Sequence, residues 1–156
     1  MIQLENLGPS LVMNNKPHYS ITVEEKASIK RIVENLEYRL IGNQTYDIFS
    51  LSKEPDITLE EYLFRIVHYL KFQSSEPIYY IETAYSYIDK LKIDLSLWNI
   101  YSIFMTSIVL AIKFSEDSHK DMNFFSRLGG LTVEQLNEYE VELLFKLGFK
   151  LFDKRG

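Results

Sequence analysis

The chain has 156 residues, of which 46% are hydrophobic and 25% charged, and this composition predicts one folded domain without disordered or low-complexity segments. Its net charge of −5 lacks the basic excess of a phosphate-binding protein, so nucleic acid is not expected as a partner. The absence of cysteine excludes disulfides and thiolate metal sites and fits a protein of the nucleus or the cytoplasm, as does a first segment without the pattern of a signal peptide.

The first third of the chain predicts an arm, a helix and a connection. Residues 1–21 combine glycine, proline and asparagine without periodicity, which is typical of an N-terminal arm. Thr22 and Glu25 then have the spacing of a capping box, and apolar residues follow at helical spacing, namely Ile29, Ile32, Val33, Leu36 and Leu40. The rest of segment 22–56 is rich in turn-forming residues and predicts a connection laid partly on the surface.

The middle of the chain predicts two further amphipathic helices. The first begins at a second capping box, Thr58 to Glu61, and continues with a wide apolar face. The second begins near Ser74, which can cap it, and Pro77, which a first helical turn tolerates. Both helices can pack around the central helix that follows them.

The run WNIYSIFMTSIVLAIKFSED, residues 98–117, predicts the central helix of the fold. Apolar residues occupy most positions from 103 to 114, and a helix that is apolar on all sides is normally buried. Ser96 can cap this helix, which is expected to run from about Leu97 to Ser115. Polar residues interrupt the run, which is also too short to cross a membrane.

The last part of the chain predicts a short helix and a final longer one. The short segment ends at Gly129-Gly130, where a glycine can close the helix in a left-handed conformation. Thr132 and Gln135 form another capping box, and Gly148 closes the helix that they open. With about six helices, no convincing pair of strands and no repeat, the sequence predicts an all-α fold.

Four charged residues interrupt apolar stripes, where an unpaired charge would be costly. Arg65 and Asp89 have opposite signs and are expected to form an internal ion pair that fixes how two helices cross. Lys113 ends the central apolar run, and Glu140 interrupts the last apolar stripe. Residue chemistry favours a second internal pair, or side chains that reach water while their stems pack. The alternative is that these two charges flank a groove and hold the backbone of a partner's helix.

Four segments of the chain resemble, in order and spacing, the blocks of a cyclin box. They are EYLFRIVHYL, YSYIDK, LAIKFSED and LNEYEVELLFKLGF. The segment RLGGLTVEQLNEYE is similar to the phosphate-system branch, the P- and U-type cyclins. The resemblance covers residues 57–152, so the arm, the first helix and the end of the chain, 153–156, lie outside it. It implies a single five-helix cyclin box around a buried central helix, with an additional N-terminal helix.

The resemblance also implies a function and a site. The expected function is that of a regulatory subunit, without catalytic activity of its own, that binds and activates a cyclin-dependent protein kinase. Lys113 and Glu140 match the pair that grips kinase backbone, which raises the partner-site alternative above the internal pair. Arg65 and Asp89 match the internal ion pair of the box. The groove that receives the kinase helix is matched by Leu110, Phe114, Leu144 and Phe149.

Two departures from the branch concern its subfamily and leave the fold unaffected. Tyr101-Ser102 stands where a His-Arg pair is usual, and Lys90 replaces an arginine. The substrate-docking patch of cell-cycle cyclins would fall at Phe64, Val67, His68 and Lys71. The last two residues lack the apolar character of such a patch, so docking of that kind is not expected.

Other functions have weaker support in the sequence. His18, His68 and His119 lie in different segments without metal-binding spacing, so the chain predicts no metal, cofactor or small-molecule site and no catalytic residue. A cyclin-fold transcription or scaffold protein is the main alternative. Such proteins usually repeat the box and carry a basic surface, and salt-dependent DNA binding would identify one. An enzyme of another type has no candidate site in this sequence.

Overall fold

The structure is a computed structural model that describes residues 18–115 and 121–151. Within these ranges the chain forms six helices and one pair of two-residue strands. The helices are α1 (Val23–Glu37), α2 (Leu59–Leu70), α3 (Pro77–Lys90), α4 (Ile100–Ser115), α5 (Met122–Gly129) and α6 (Val133–Lys146), and the strands are β1 (Leu40–Ile41) and β2 (Leu95–Ser96). The predicted all-α fold is confirmed, and no helix in these ranges is long and apolar enough to span a membrane. Most of the predicted N-terminal arm and His119 lie outside the described residues.

Side-chain caps begin three of the helices where the sequence predicts them. At α1 the Thr22 hydroxyl accepts a hydrogen bond from the Glu25 N–H at 3.1 Å, and the Glu25 carboxylate accepts one from the Thr22 N–H at 2.9 Å. Thr132 and Gln135 form the same reciprocal box at the start of α6. At α2, the Thr58 hydroxyl accepts from a backbone N–H of the first turn. These caps satisfy N–H groups that a helix leaves unpaired at its start.

Helix α4 is the centre of the fold. Every residue from Ile100 to Ile112 is buried, and the helix packs mainly against α3 and α6. It begins later than predicted because a tight turn precedes it. The Ser96 hydroxyl accepts from the Trp98 N–H at 3.1 Å, and the Asn99 side-chain oxygen accepts from the Ser96 N–H at 2.9 Å. Ser96 therefore caps this turn and leaves the helix itself to start at Ile100.

The connection after α1 is pinned to the start of α4. Strand β1 pairs in parallel with β2, a contact that the sequence does not predict because two residues are too few for a periodic pattern. The hydroxyl oxygens of Thr45 and Ser96 lie 2.7 Å apart, and the Asn99 side chain donates to the Asp47 carboxylate at 2.8 Å. These bonds hold the connection, with its fully buried Phe49, against the core.

The structure does not bring Arg65 and Asp89 together in the predicted ion pair. The Asp89 side chain is 67% exposed and lies 3.6 Å from Arg39, which also donates to carbonyl oxygens at the end of α3. Arg65 is fully buried and donates from Nη2 to the carbonyl oxygen of Arg127 at 3.2 Å. Asp89 thus has a different partner from the expected one, because the residues that follow α1 pack beside the end of α3.

Candidate protein-binding site

Lys113 and Glu140 form an ion pair between the last turn of α4 and the middle of α6. The Lys113 Nζ atom lies 2.9 Å from Glu140 Oε1. The lysine side chain is 34% exposed and the glutamate side chain 10%, so the pair lies at the edge of the surface. The internal pair that residue chemistry favoured is therefore present in the chain by itself.

This pair leaves part of the Glu140 carboxylate unused. Its Oε2 atom is buried, and no residue in the described ranges donates a hydrogen bond to it. A buried carboxylate oxygen without a donor is costly, which favours a movement of this side chain toward a donor. The internal pair does not exclude a partner site, but a partner would reach the carboxylate only if the Glu140 side chain turned outward.

Exposed apolar side chains follow both members of the pair in the sequence. Phe114, which follows the lysine, is 47% exposed, and Val141, which follows the glutamate, is 56% exposed. Phe145 and Phe149 come next on α6 and just after it, with ring centroids 5.2 Å apart and more than half of each side chain exposed. We call these exposed side chains and the half-buried Leu144 the α6 patch, which consists of Phe114, Val141, Leu144, Phe145 and Phe149. A cluster of exposed apolar residues is typical of a protein-binding surface.

Two members of the α6 patch are not among the residues expected from the sequence. Val141 and Phe145 repeat every four residues, at the same spacing as Phe149, and so share one side of the helix. The core stripe of α6 runs instead along Leu136 and Leu143, which are fully buried. The spacing of Val141 and Phe145 is visible in the sequence as a second apolar stripe. Periodicity alone, however, does not tell which of the two stripes of α6 stays exposed.

Leu110, by contrast, does not line this surface. It is 1% exposed and lies on α4 one turn before Phe114, within the core. Its expected contact with a partner stays a prediction and would require the side chain to become accessible.

The turn after α6 fixes the direction of the Phe149 ring. Gly148 and Phe149 both have left-handed backbones, with φ of 62° and 59°. Their N–H groups donate to the carbonyl oxygens of Phe145 and Leu144, which is the bonding pattern of a Schellman motif. Glycine adopts this conformation readily, but a side chain there is strained by about 1–2 kcal/mol. Such strain is often found at functional sites, and here it places an aromatic ring in the α6 patch.

The residues of the possible docking patch on α2 are occupied within the chain. Val67 is fully buried, and the Lys71 ammonium donates to the carbonyl oxygen of Ser20. His68 accepts a hydrogen bond from the N–H of Ser20. Phe64 is half-buried against the core. This face of α2 is therefore covered in part by the segment that precedes α1.

Other places in the described ranges have less to offer a ligand. A cavity of about 370 Å³ opens between α1 and the start of α2 and is lined by Lys30, Val33, Glu34, Glu37, Thr58 and Glu60. Its polar side chains are exposed or half-buried, so it is a charged cleft without a fixed polar group in its interior. No three histidine, aspartate or glutamate side chains in these ranges approach closely enough to hold a metal ion. The α6 patch with the Lys113–Glu140 pair remains the best candidate site.

Comparison with known proteins extends the sequence resemblance. The cyclin family model matches residues 4–151, and so includes α1 as well as the helices after it. Cyclin-U2-2 of Arabidopsis thaliana is 38% identical over 115 residues, which are 70% of this chain and 48% of the relative. Cyclin-U4-1 of the same species is 26% identical over 156 residues, 97% of this chain and 73% of the relative. Cyclin-P3-1 of Oryza sativa subsp. japonica is 27% identical over 141 residues, 88% of this chain and 60% of the relative.

These relatives carry the names of the branch to which the RLGGLTVEQLNEYE segment is similar, so the predicted resemblance to P- and U-type cyclins is confirmed. The chain spans about half the length of Cyclin-U2-2 and of Cyclin-U2-1, which is also 38% identical.

Proposed function

The chain belongs to the cyclin family, and we propose that it is a regulatory subunit that binds and activates a cyclin-dependent protein kinase. In this proposal the chain catalyses nothing itself, and the phosphoryl transfer is carried out by the kinase. The complex would act in the nucleus or the cytoplasm.

The observation that carries the proposal is the position of the Lys113–Glu140 pair beside the α6 patch. A helix laid on this surface can place its apolar side chains against the exposed phenylalanines. Its backbone can then accept a hydrogen bond from the partly exposed Lys113 ammonium. It can also donate to the Glu140 carboxylate once that side chain turns outward, because Oε2 is buried in the chain by itself. The surface therefore offers both the apolar area and the polar groups that a helical partner needs.

Activation would work through a shift in the populations of two kinase conformations. A regulator can favour the active conformation only by the difference between its affinities for the active and the inactive one. The α6 patch supplies contact area, whereas the charged pair makes binding depend on where the helix backbone lies. A kinase helix in its active position would meet both, and a displaced helix would lose the polar contacts.

Reversing the charges of Lys113 and Glu140 can distinguish kinase binding by the pair from a purely structural role. Lys113→Glu and Glu140→Lys each place two like charges where the structure has a 2.9 Å ion pair. The double variant Lys113→Glu/Glu140→Lys has an ion pair again, with its direction reversed. We expect all three variants to lose kinase co-purification and activation, while the double variant melts close to the unchanged chain. If the double variant binds and activates the kinase normally, the pair is only an internal link between α4 and α6.

The partner class is tested by a pull-down from native cell extract, followed by a kinase assay with and without the chain. Recovery of a kinase whose activity rises when the chain is added supports the proposal. Recovery of other proteins without a kinase would support the scaffold alternative, and recovery of DNA in a salt-dependent assay would support the transcription-factor alternative.

A further inference from the structure

Residues 18–20 cross the outer face of α2, and side chains of that helix bind both backbone polar groups of Ser20. The Ser20 N–H donates to Nδ1 of His68 at 2.9 Å. The Lys71 ammonium donates to the Ser20 carbonyl oxygen at 2.7 Å. His68 and Lys71 are three residues apart and so lie on one side of the helix. One residue of an extended segment is thus held at two points.

Aromatic packing adds to this contact. The ring of Tyr19 lies 5.4 Å from the His68 ring, measured between centroids. The His68 ring also packs edge-on against Tyr69 at 4.8 Å and Phe72 at 5.9 Å. The half-buried imidazole therefore packs between residues 18–20 and aromatic side chains at the end of α2, and its Nδ1 accepts the hydrogen bond from Ser20.

The same lysine links this segment to the beginning of α1. Lys71 Nζ lies 2.7 Å from the carboxylate of Glu25, which closes the capping box with Thr22. Lys71, at the end of α2, therefore contacts both the Ser20 carbonyl oxygen and the first turn of α1. We call residues 18–20, held in this way, the strap.

We propose that the strap opens when His68 takes up a proton. A neutral imidazole has one nitrogen that accepts a hydrogen bond, whereas a protonated imidazole has two donors and no acceptor. The Ser20 N–H and a protonated Nδ1 would be two donors facing each other. The closed strap therefore requires neutral His68, and protonation removes one of its two backbone contacts.

The charges around His68 act in the same direction. Burial lowers the pKa of His68, and the positive charges of Lys71 and of a protonated His18 lower it further. The phenols of Tyr19 and Tyr69 also lie near the ring, and burial raises the pKa of Tyr19. Glu25, from α1, is engaged by Lys71.

The direction of the pH effect follows from this lowered pKa. An opened strap leaves His68 in water, where its pKa returns to the ordinary value of about 6.5. The open state thus binds a proton more readily than the closed state. The free energy of strap closure is therefore fully present above pH of about 6.5 and is lost progressively as the pH falls below it. Opening would uncover the aromatic face of α2 at Tyr69 and leave the Lys71 ammonium with Glu25 alone.

The experiment is residue-resolved amide hydrogen exchange by NMR on the full chain between pH 7.5 and 5.5, corrected for the intrinsic pH dependence of exchange. We expect the Ser20 amide to be protected at pH 7.5 and to lose protection roughly threefold or more by pH 5.5. One proton per opening sets a limit of about tenfold per pH unit. The ring resonances of His68 should titrate at a lower pH than those of a histidine in water, because the closed strap disfavours the charged ring. The amide of buried Ile108 reports whether the fold itself is intact.

Two variants test whether His68 causes the pH-dependent loss of protection at Ser20. His68→Phe keeps an aromatic ring beside Tyr19 but has no acceptor, so the Ser20 amide should be unprotected at both pH values while Ile108 stays protected. His18→Gln removes the neighbouring histidine and should leave the pH dependence of Ser20 in place. The proposal is overturned if Ser20 is unprotected at pH 7.5, if its protection does not change with pH, or if the pH dependence survives in His68→Phe.

Discussion

Arg65 donates a hydrogen bond from Nη2 to the carbonyl oxygen of Arg127 at 3.2 Å, and the rest of its guanidinium is buried without a hydrogen-bond partner in the described ranges. Burial lowers the pKa of Arg65, although nearby tyrosines oppose this. A guanidinium remains charged in proteins, and a buried charge without a carboxylate is costly. The position of Arg65 in the core is therefore a source of instability that its carbonyl contact offsets only in part.

Replacement of Arg65 by methionine should therefore stabilise the fold. Methionine keeps a long unbranched side chain and removes the charge. Replacement of whole buried ion pairs by apolar side chains of similar volume is neutral or gains about 1–4 kcal/mol, and a lone buried charge should follow the same direction. Urea denaturation measures the change in the free energy of unfolding. The matched control is Asp89→Asn, which removes only an exposed partner of Arg39 and should cost less than about 1 kcal/mol. A loss of about 3–5 kcal/mol in both variants would instead show that Arg65 and Asp89 are paired in solution.

The close approach of α5 to the core leads to a second prediction. A Cβ atom at Gly129 would overlap Cγ of Met105, a fully buried side chain, and would lie 2.9 Å from its Sδ atom. Gly129→Ala should therefore force the methionine into packed neighbours and cost about 1–3 kcal/mol. A Cβ at Gly42 would meet nothing within 4 Å, so Gly42→Ala should leave the melting temperature nearly unchanged. Equal melting of the two variants in calorimetry would show that the core around Met105 adapts freely.

The helix starts and the partner of Asp89 show which features of the fold the sequence can and cannot predict. The starts of α1 and α6 are predicted correctly because a capping box is a local pattern in which two residues contact each other. The partner of Asp89 is not, since it depends on Arg39, a residue fifty positions away that only the packed fold brings near. Sequence patterns thus locate helices well and choose between distant partners poorly.

The same limit applies to the candidate site. The charge of Lys113 and Glu140 in apolar surroundings is visible in the sequence, and their contact is found in the structure. The exposure of Val141 and Phe145 is not visible, because both stripes of α6 have helical spacing and only the position of α4 decides which one is covered. The packing of Ser20 against α2 could not be predicted either, because residues 18–20 have no periodic sequence pattern.

The Glu25–Lys71 contact predicts a pH dependence of stability. Burial would raise the pKa of Glu25, but hydrogen bonds from Lys71 and Thr22 outweigh it, and the pKa lies below the ordinary 4.5. The unfolded chain therefore binds this proton more readily, so the stabilisation is present above pH of about 4.5 and is lost as the pH falls. Glu25→Gln keeps an acceptor for the cap and removes the charge. It should lower the free energy of unfolding at pH 7 by about 0.5–1.5 kcal/mol, and the gap should close toward pH 3.

Urea denaturation of both chains across this pH range tests the expectation. The control is Glu24→Gln, which changes an exposed carboxylate in the same helical turn without touching Lys71. Its cost should be smaller than that of Glu25→Gln at pH 7. A gap for Glu25→Gln that stays constant down to pH 3 would show that the loss comes from altered packing rather than from the ion pair.

Phe149 should matter for partner binding much more than for folding. Phe149→Gly relieves a left-handed conformation, at φ of 59°, and keeps the N–H bond to Leu144. This relief and the flexibility of glycine oppose each other, so the free energy of unfolding should change by less than about 1 kcal/mol. Loss of the exposed ring from the α6 patch should weaken kinase binding about tenfold, or 1.4 kcal/mol.

Calorimetric titration with the recovered kinase measures this change in affinity. The control is Tyr46→Ala, which removes an exposed ring from the connection after α1 and should bind normally. Equal binding by both variants would place the partner elsewhere.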